Sequence, residues 1–166
     1  MNKHLLKILL LTLALTTGCG DKHNHDHKGH DHKEPAKHEH KPPNGGTPVE
    51  LGNEEYHLEF LLDAPSGKLV AYVLDGELEK YIRCAMESFA VQAEVSGKTE
   101  TLQFLPVANS ATGEKVGDTS QFEAQADWLK TTPVFNAVLK VITVGSKTYT
   151  NISFNFPKGS DESAKK

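Results

Sequence analysis

Cysteine is scarce in this chain: two in 166 residues, Cys19 and Cys84. A framework of several disulfides is therefore excluded, and any folded part must rest on its own apolar core. Arginine is scarcer still, with Arg83 alone, and the formal charge is −4. Nucleic acid rewards basic patches, so an acidic chain with one guanidinium excludes it as a natural partner. Long apolar runs are missing apart from one near the start, from Ile8 to Leu15. That run is far shorter than the ~20 residues a membrane-spanning helix requires. Between Asp21 and Pro43 there is no Leu, Ile, Val or aromatic residue. The motifs of common enzyme classes are also missing: no GxSxG elbow, no Walker-type loop and no HExxH. A catalytic zinc normally takes three protein ligands, and the stretch after residue 43 offers one histidine and one cysteine. The expectation is therefore not an enzyme.

The first residues carry their own pattern. Lys3, His4 and Lys7 precede the apolar run, and Thr16, Thr17 and Gly18 follow it. That layout predicts a signal peptide over residues 1–18. Leu15-Thr16-Thr17-Gly18-Cys19 resembles a lipobox, with Leu one place earlier than the commonest form. The resemblance implies cleavage before Cys19, lipidation of Cys19 (palmitate among the acyl groups) and a lipoprotein facing the periplasm from a membrane of the cell envelope. The alternative is a secreted protein cut near Gly18 or Gly20. Each buried methylene adds ~0.8 kcal/mol of membrane affinity, so two or three acyl chains anchor firmly. Loss of Lys3 and Lys7 with the signal leaves a mature charge of −6. Asp21, two places after Cys19, occupies a position that in some bacteria bears on inner-membrane retention.

Residues 19–43 are predicted to be a disordered linker, because their composition cannot bury enough apolar surface to offset chain entropy. The linker holds seven histidines: His23, His25, His27, His30, His32, His38 and His40. A short repeat runs through them as His25-Asp26-His27-Lys28, His30-Asp31-His32-Lys33 and His38-Glu39-His40-Lys41. In an extended chain, residues i and i+2 face the same way roughly 7 Å apart, and a supple backbone closes that gap around one ion. Neutral imidazole suits Zn, Cu, Ni and Co, and the intervening carboxylates supply a further ligand or charge balance. The competing reading is a solvated spacer, reaching tens of Å from the lipid at about 1.5 to 3 Å per residue.

From residue 44 to residue 157 the pattern changes to apolar–polar alternation with a period of two. Tyr56, Leu58, Phe60 and Leu62 alternate with His57, Glu59 and Leu61. The same holds around Leu69–Leu74, Phe89–Val95, Leu102–Phe104, Val138–Ile142 and Ile152–Phe156. Turn signals at Ala64–Gly67, Asp75-Gly76, Ser96–Lys98 and Gly145–Lys147 separate them. The expected fold is all-β, an immunoglobulin-like antiparallel β-sandwich, followed by a loose tail over residues 158–166. Asp127–Lys130 is expected to form a short helical turn and residues 109–120 a long surface loop.

Inside that domain, His57 and Glu59 fall on one strand face and are candidate metal ligands; the plainer reading of His57 is an exposed strand residue. Cys84 and Met86 share a face with Ile82, as a soft copper pair or as core. Trp128 reads as a packing anchor or a ligand-stacking ring. Asp118, Glu123 and Asp127 lie near the long loop without an assignable acid–base role.

Several segments together are similar to a small uncharacterised bacterial lipoprotein domain. They are Asn44-Gly45-Gly46-Thr47-Pro48-Val49, Leu51-Gly52, Tyr56-His57-Leu58-Glu59 and Gly67-Lys68-Leu69 through Tyr72–Asp75. Gly117–Phe122 and Val138–Val141 fit as well, so the similarity spans most of residues 44–156. That domain also resembles N-terminal segments of periplasmic adaptor proteins from cobalt–zinc–cadmium type heavy-metal efflux systems. Those relatives commonly begin His-Gly-Gly where this chain has Asn44, while His57 and Glu59 match. The resemblance implies metal handling in the periplasm and a metal transporter or efflux adaptor as partner. Two functions follow as expectations: a metal-binding lipoprotein that buffers or delivers Zn, Cu, Ni or Co, and an envelope interaction module with a His-rich spacer.

Overall fold

A computed structural model describes residues 41–160. The expected signal peptide, Cys19 and the seven tract histidines lie outside the described residues, as do the residues after Ser160. No helix among the described residues is long and apolar enough to cross a membrane.

The alternating pattern becomes nine antiparallel strands: β1 (Thr47–Leu51), β2 (Tyr56–Asp63), β3 (Lys68–Asp75), β4 (Phe89–Val95), β5 (Lys98–Pro106), β6 (Gln121–Gln125), β7 (Phe135–Val144), β8 (Lys147–Phe156) and β9 (Gly159–Ser160). Asp127–Lys130 forms one 3-10 turn. The strands follow the order β1-β2-β3-β6-β5-β4-β7-β8-β9, a single, nearly closed sheet. The all-β expectation is thus met, with one correction to the connections. Asp75-Gly76 does not turn β3 directly into β4; β3 pairs with β6, and residues 76–88 cross over to reach β4. Strands β4, β5 and β6 run consecutively with β3 returned beside β6, a Greek-key arrangement.

The sheet bends where β5 meets β6. Only Leu105↔Glu123 and Pro106↔Phe122 are in register there. The residues facing the interior are apolar on both sides of that junction. Val49, Leu58, Phe60, Leu69, Ala71 and Phe122 come from one side, and Val91, Phe104, Leu139, Ile142 and Phe154 from the other; all are buried. All seven phenylalanines are in this core. Phe60 stacks on Phe154 at 5.1 Å between centroids, and Phe89 stacks on Phe104 at 4.7 Å. Each such ring contributes ~1.5–3 kcal/mol through area removed from water, and paired rings somewhat more.

Closure is made at two places. At one end Lys147 Nζ lies 2.5 Å from Glu55 Oε1, and the Tyr149 hydroxyl donates to Glu55 Oε2 at 2.6 Å. At the other, the chain after β8 returns onto β1. The Glu50 amide donates to Ser160 Oγ at 2.7 Å and the Thr47 hydroxyl to the Pro157 carbonyl at 3.1 Å. Gly159 lies so close that a Cβ would meet the Pro48 carbonyl oxygen at 2.5 Å, and its φ of +98° also favours glycine. The fold therefore runs to Ser160, beyond the boundary at residue 157 that composition suggested.

Candidate functional site

The outer face of β2 and β3 presents His57, Glu59 and Leu61 beside Leu74, Tyr72 and Val70, in register. Alternation predicts such positions to be exposed, yet His57 is 8% exposed and Glu59 is wholly buried. At Glu59 the cause is the segment that leads into β1. Asn44 donates from its backbone amide to Glu59 Oε1 at 2.9 Å and from Nδ2 to Oε2 at 2.8 Å, and the Gly46 amide adds a bond to Oε1 at 2.8 Å. Gly46 is required by contact: a Cβ there would meet the Phe60 carbonyl oxygen at 2.6 Å and Glu59 Cγ at 2.8 Å.

Asn44 also ties this segment to the crossover. Its Nδ2 donates to the Tyr81 hydroxyl at 2.9 Å. The Tyr81 ring meets Tyr72 edge to face, 5.6 Å between centroids and 72° between planes. Backbone bonds fix the crossover: Ile82 N to the Val73 carbonyl and Cys84 N to the Thr119 carbonyl, each 2.9 Å. Arg83, between them, donates to the Thr112 carbonyl at 2.6 Å and to Asp118 Oδ2 at 3.2 Å, with Glu114 Oε1 3.9 Å away. Glu114 is a buried carboxylate that folds the 109–120 loop inward. It accepts from the Ser120 hydroxyl at 2.6 Å, the Ser120 amide at 2.9 Å and the Thr112 hydroxyl at 2.8 Å. Burial opposes its ionisation, but the Ser120 and Thr112 bonds and the Arg83 charge outweigh that and hold its carboxyl below the usual range.

Between the crossover and this loop lies an open cleft of about 540 Å³, lined by Tyr72, Tyr81, Arg83, Asn109, Glu114 and Gln121 among others, with Asn44 on its wall. Burial, reinforced by the nearby Tyr81 and carboxylates, pushes the Tyr72 hydroxyl above its ordinary pKa, so it stays protonated and able to donate. The cleft offers donors, acceptors and aromatic surface on a rigid frame, an arrangement suited to holding a small polar ligand.

Of the candidate site residues inside the domain, His57 and Glu59 do share a face. The two oxygens of Glu59 are taken by amide donors, and His57 Nδ1 lies 3.4 Å from the Asp75 carbonyl oxygen. Among the described residues, no three of His, Cys, Asp and Glu gather into a group that would hold a metal ion. Cys84 is 5% exposed and part of the core, and burial pushes its thiol up to about 11, which favours the core reading over a soft-metal pair. Trp128 packs edge to face on Phe135 at 5.2 Å, as an anchor. Asp118 and Glu123 are ion-paired, to Arg83 and Lys68, and Asp127 pairs with Lys130. Sequence reasoning missed the cleft because Asn44, Tyr81 and Glu114 come from three separate segments. The lone arginine was the one available signal.

Comparison with protein-family models, with curated proteins and with solved structures finds no match for this chain.

Proposed function

We propose that this chain is an exported lipoprotein, anchored through Cys19 and facing the periplasm, that captures divalent transition-metal ions on its histidine tract. The ligands are His23, His25, His27, His30, His32, His38 and His40, and the ions are Zn, Cu, Ni or Co. It serves as a buffer or delivery factor for a metal transport system rather than as an enzyme. The β-domain, read as a sandwich that is immunoglobulin-like in its two-faced packing, is the platform behind the tract.

One observation carries this reading: the threefold His-Asp/Glu-His-Lys repeat in a stretch otherwise empty of apolar residues. Imidazole pairs flanking a carboxylate form a ligand set for borderline metals. The resemblance read from the sequence of residues 44–156 to segments of heavy-metal efflux adaptors is consistent with the same context. So is the join between tract and domain. Four peptide units separate His40 from Asn44, at most about 14 Å of chain, and Asn44 is fixed to Glu59 and Tyr81. Ions held at the end of the tract are thus presented beside the domain. Glu59 is left out of the ligand set because its oxygens are occupied.

Calorimetric titration of Zn, Cu, Ni and Co into the purified chain tests the proposal. A variant with all seven tract histidines changed to alanine is the comparison. The expected result is several ions per chain at pH 7, lost in the variant. Binding weakens strongly near pH 5, where imidazoles with ordinary pKa values are protonated. Equal binding by both proteins would sink the reading. It would favour the interaction-module alternative, in which the tract is a spacer and chelators leave partner binding unchanged.

A further inference from the structure

The metal reading does not draw on the cleft beside Asn44, and the groups this cleft leaves open indicate its own ligand. Its central charges are already engaged. Arg83 is held by Asp118, Glu114 and the Thr112 carbonyl, and Glu114 by Ser120 and Thr112. An ionic ligand would have to displace these bonds, at the cost of unpairing a buried carboxylate. The other two charged residues lining the cleft, Glu79 and Lys80, are of opposite sign and offer no net attraction.

The groups that stay open are neutral. The Tyr72 hydroxyl makes no hydrogen bond among the described residues. Gln121 spends Nε2 on Glu123 at 3.1 Å, which leaves Oε1 open. Asn109 spends Oδ1 on the Ala111 amide at 3.1 Å, which leaves Nδ2 open. Beside them stands Tyr81, 46% exposed, whose ring is held by an edge-to-face contact with Tyr72 and whose hydroxyl is held by Asn44. A fixed aromatic surface next to uncharged donors and acceptors complements a solute with an apolar C–H face and a rim of hydroxyls. Sugar rings have that chemistry.

We infer that this cleft is a binding site for a neutral saccharide, with one ring against Tyr81 and hydroxyls bonded to Tyr72, Asn109 and Gln121. A volume of about 540 Å³ suits a di- or trisaccharide. This inference is independent of metal capture and stands if that reading falls.

The test is saturation-transfer NMR followed by calorimetry on the purified full chain. The probes are neutral mono-, di- and trisaccharides covering gluco, galacto, manno and N-acetylated rings. Tetrapeptides rich in lysine or in glutamate serve as charged competitors. At least one saccharide should bind with a Kd of about 1 mM or tighter. Tyr81→Ala should weaken it roughly tenfold, while Tyr81→Phe, which keeps the ring, should stay within about threefold. Because Tyr81 also supports Asn44, Gln121→Ala provides a second variant away from that contact. It should weaken binding roughly threefold or more with an unchanged melting curve. Three results would overturn the inference: no saccharide binding tighter than about 10 mM, affinity unchanged in both Tyr81→Ala and Gln121→Ala, or tighter binding of a charged peptide at this cleft.

Discussion

Asn44 and Glu59, fifteen residues apart, are joined twice: backbone amide to Oε1 at 2.9 Å and Nδ2 to Oε2 at 2.8 Å. With the Gly46 amide, three N–H groups surround a carboxylate that has no exposed surface, and no ion pair to it forms among the described residues. Charge-assisted hydrogen bonds of this kind are about twice as strong as neutral ones. They take the place of a counter-cation, and they fold the chain flat over an outward strand position.

Replacing that carboxylate should therefore unfasten the domain entrance. Glu59→Gln keeps the shape but turns an acceptor into an –NH2 facing donors. The expected loss is about 2–3 kcal/mol, read as a melting temperature roughly 10–15 °C lower by circular dichroism. An unchanged melt would mean that the clamp contributes nothing to folding.

Gly46 and Gly45 are adjacent yet should respond differently to alanine. At Gly46 the new methyl would collide with the Phe60 carbonyl and the Glu59 side chain, whereas at Gly45 the space is open and only its φ of +70° opposes the change. Gly46→Ala is expected to cost at least 2 kcal/mol and Gly45→Ala about 1 kcal/mol by urea denaturation. The reverse order would contradict the close approach described above.

Acid should weaken the fold through a small set of carboxylates. Hydrogen bonds and charge from Lys147 and Tyr149 lower Glu55. At Asp75 burial acts in the opposite sense, but the Glu79 and Lys80 amides prevail; Glu114 is lowered as described. A lowered folded-state pKa means that the folded form prefers the ionised group. That stability is complete above the unfolded value, roughly pH 4 to 4.5, and drains away as pH falls through the folded one. Denaturation midpoints should hold level from pH 7 to about 5 and drop below about 4. Glu114→Gln should lower the plateau and flatten the drop; an unaltered acid limb in that variant would show that Glu114 has no share in it.

Cys84 should be chemically silent in the folded chain. With its thiol pushed up to about 11 and its side chain in the core, almost no thiolate meets solvent at pH 8. In a Cys19→Ser variant, which leaves Cys84 as the sole thiol, Ellman's reagent should react within seconds in denaturant and far more slowly without it. Equal rates would place Cys84 at the surface.

Much of the domain was legible from period-two alternation. β2, β3, β4, β5, β7 and β8 fall where apolar residues alternate, and the turn at Asp127–Lys130 lies where expected. The strands that escaped notice are short. β1 carries Pro48, β6 carries Gln121 and Gln125, and β9 has two residues defined only by their neighbours. Alternation also misjudged His57 and Glu59, because a strand's outward face is exposed only if nothing else folds over it. Over Glu59, Asn44 does so from outside the alternating pattern, by a hydrogen-bond geometry that composition does not encode. The pairing of β3 with β6 was hidden for a similar reason: Asp75-Gly76 looks like a hairpin turn, and only the partners of Leu74, Ile82 and Cys84 reveal the crossover. The cleft depends on that crossover and was correspondingly invisible.

The return of Pro157–Ser160 onto β1 makes the architecture circular. The first strand of the domain and its last residues are neighbours, so the order in which the strands are encoded is separable from the way they pack. A bridge from Ser160 to the segment ahead of Asn44, which keeps the Asn44–Gly46 clamp on Glu59, with a cut in the exposed stretch 110–113, would encode the same sheet from a different starting strand. The residues that precede the domain would then join it beside the cleft's loop wall instead of at Asn44, while the packing of the strands stays as it is.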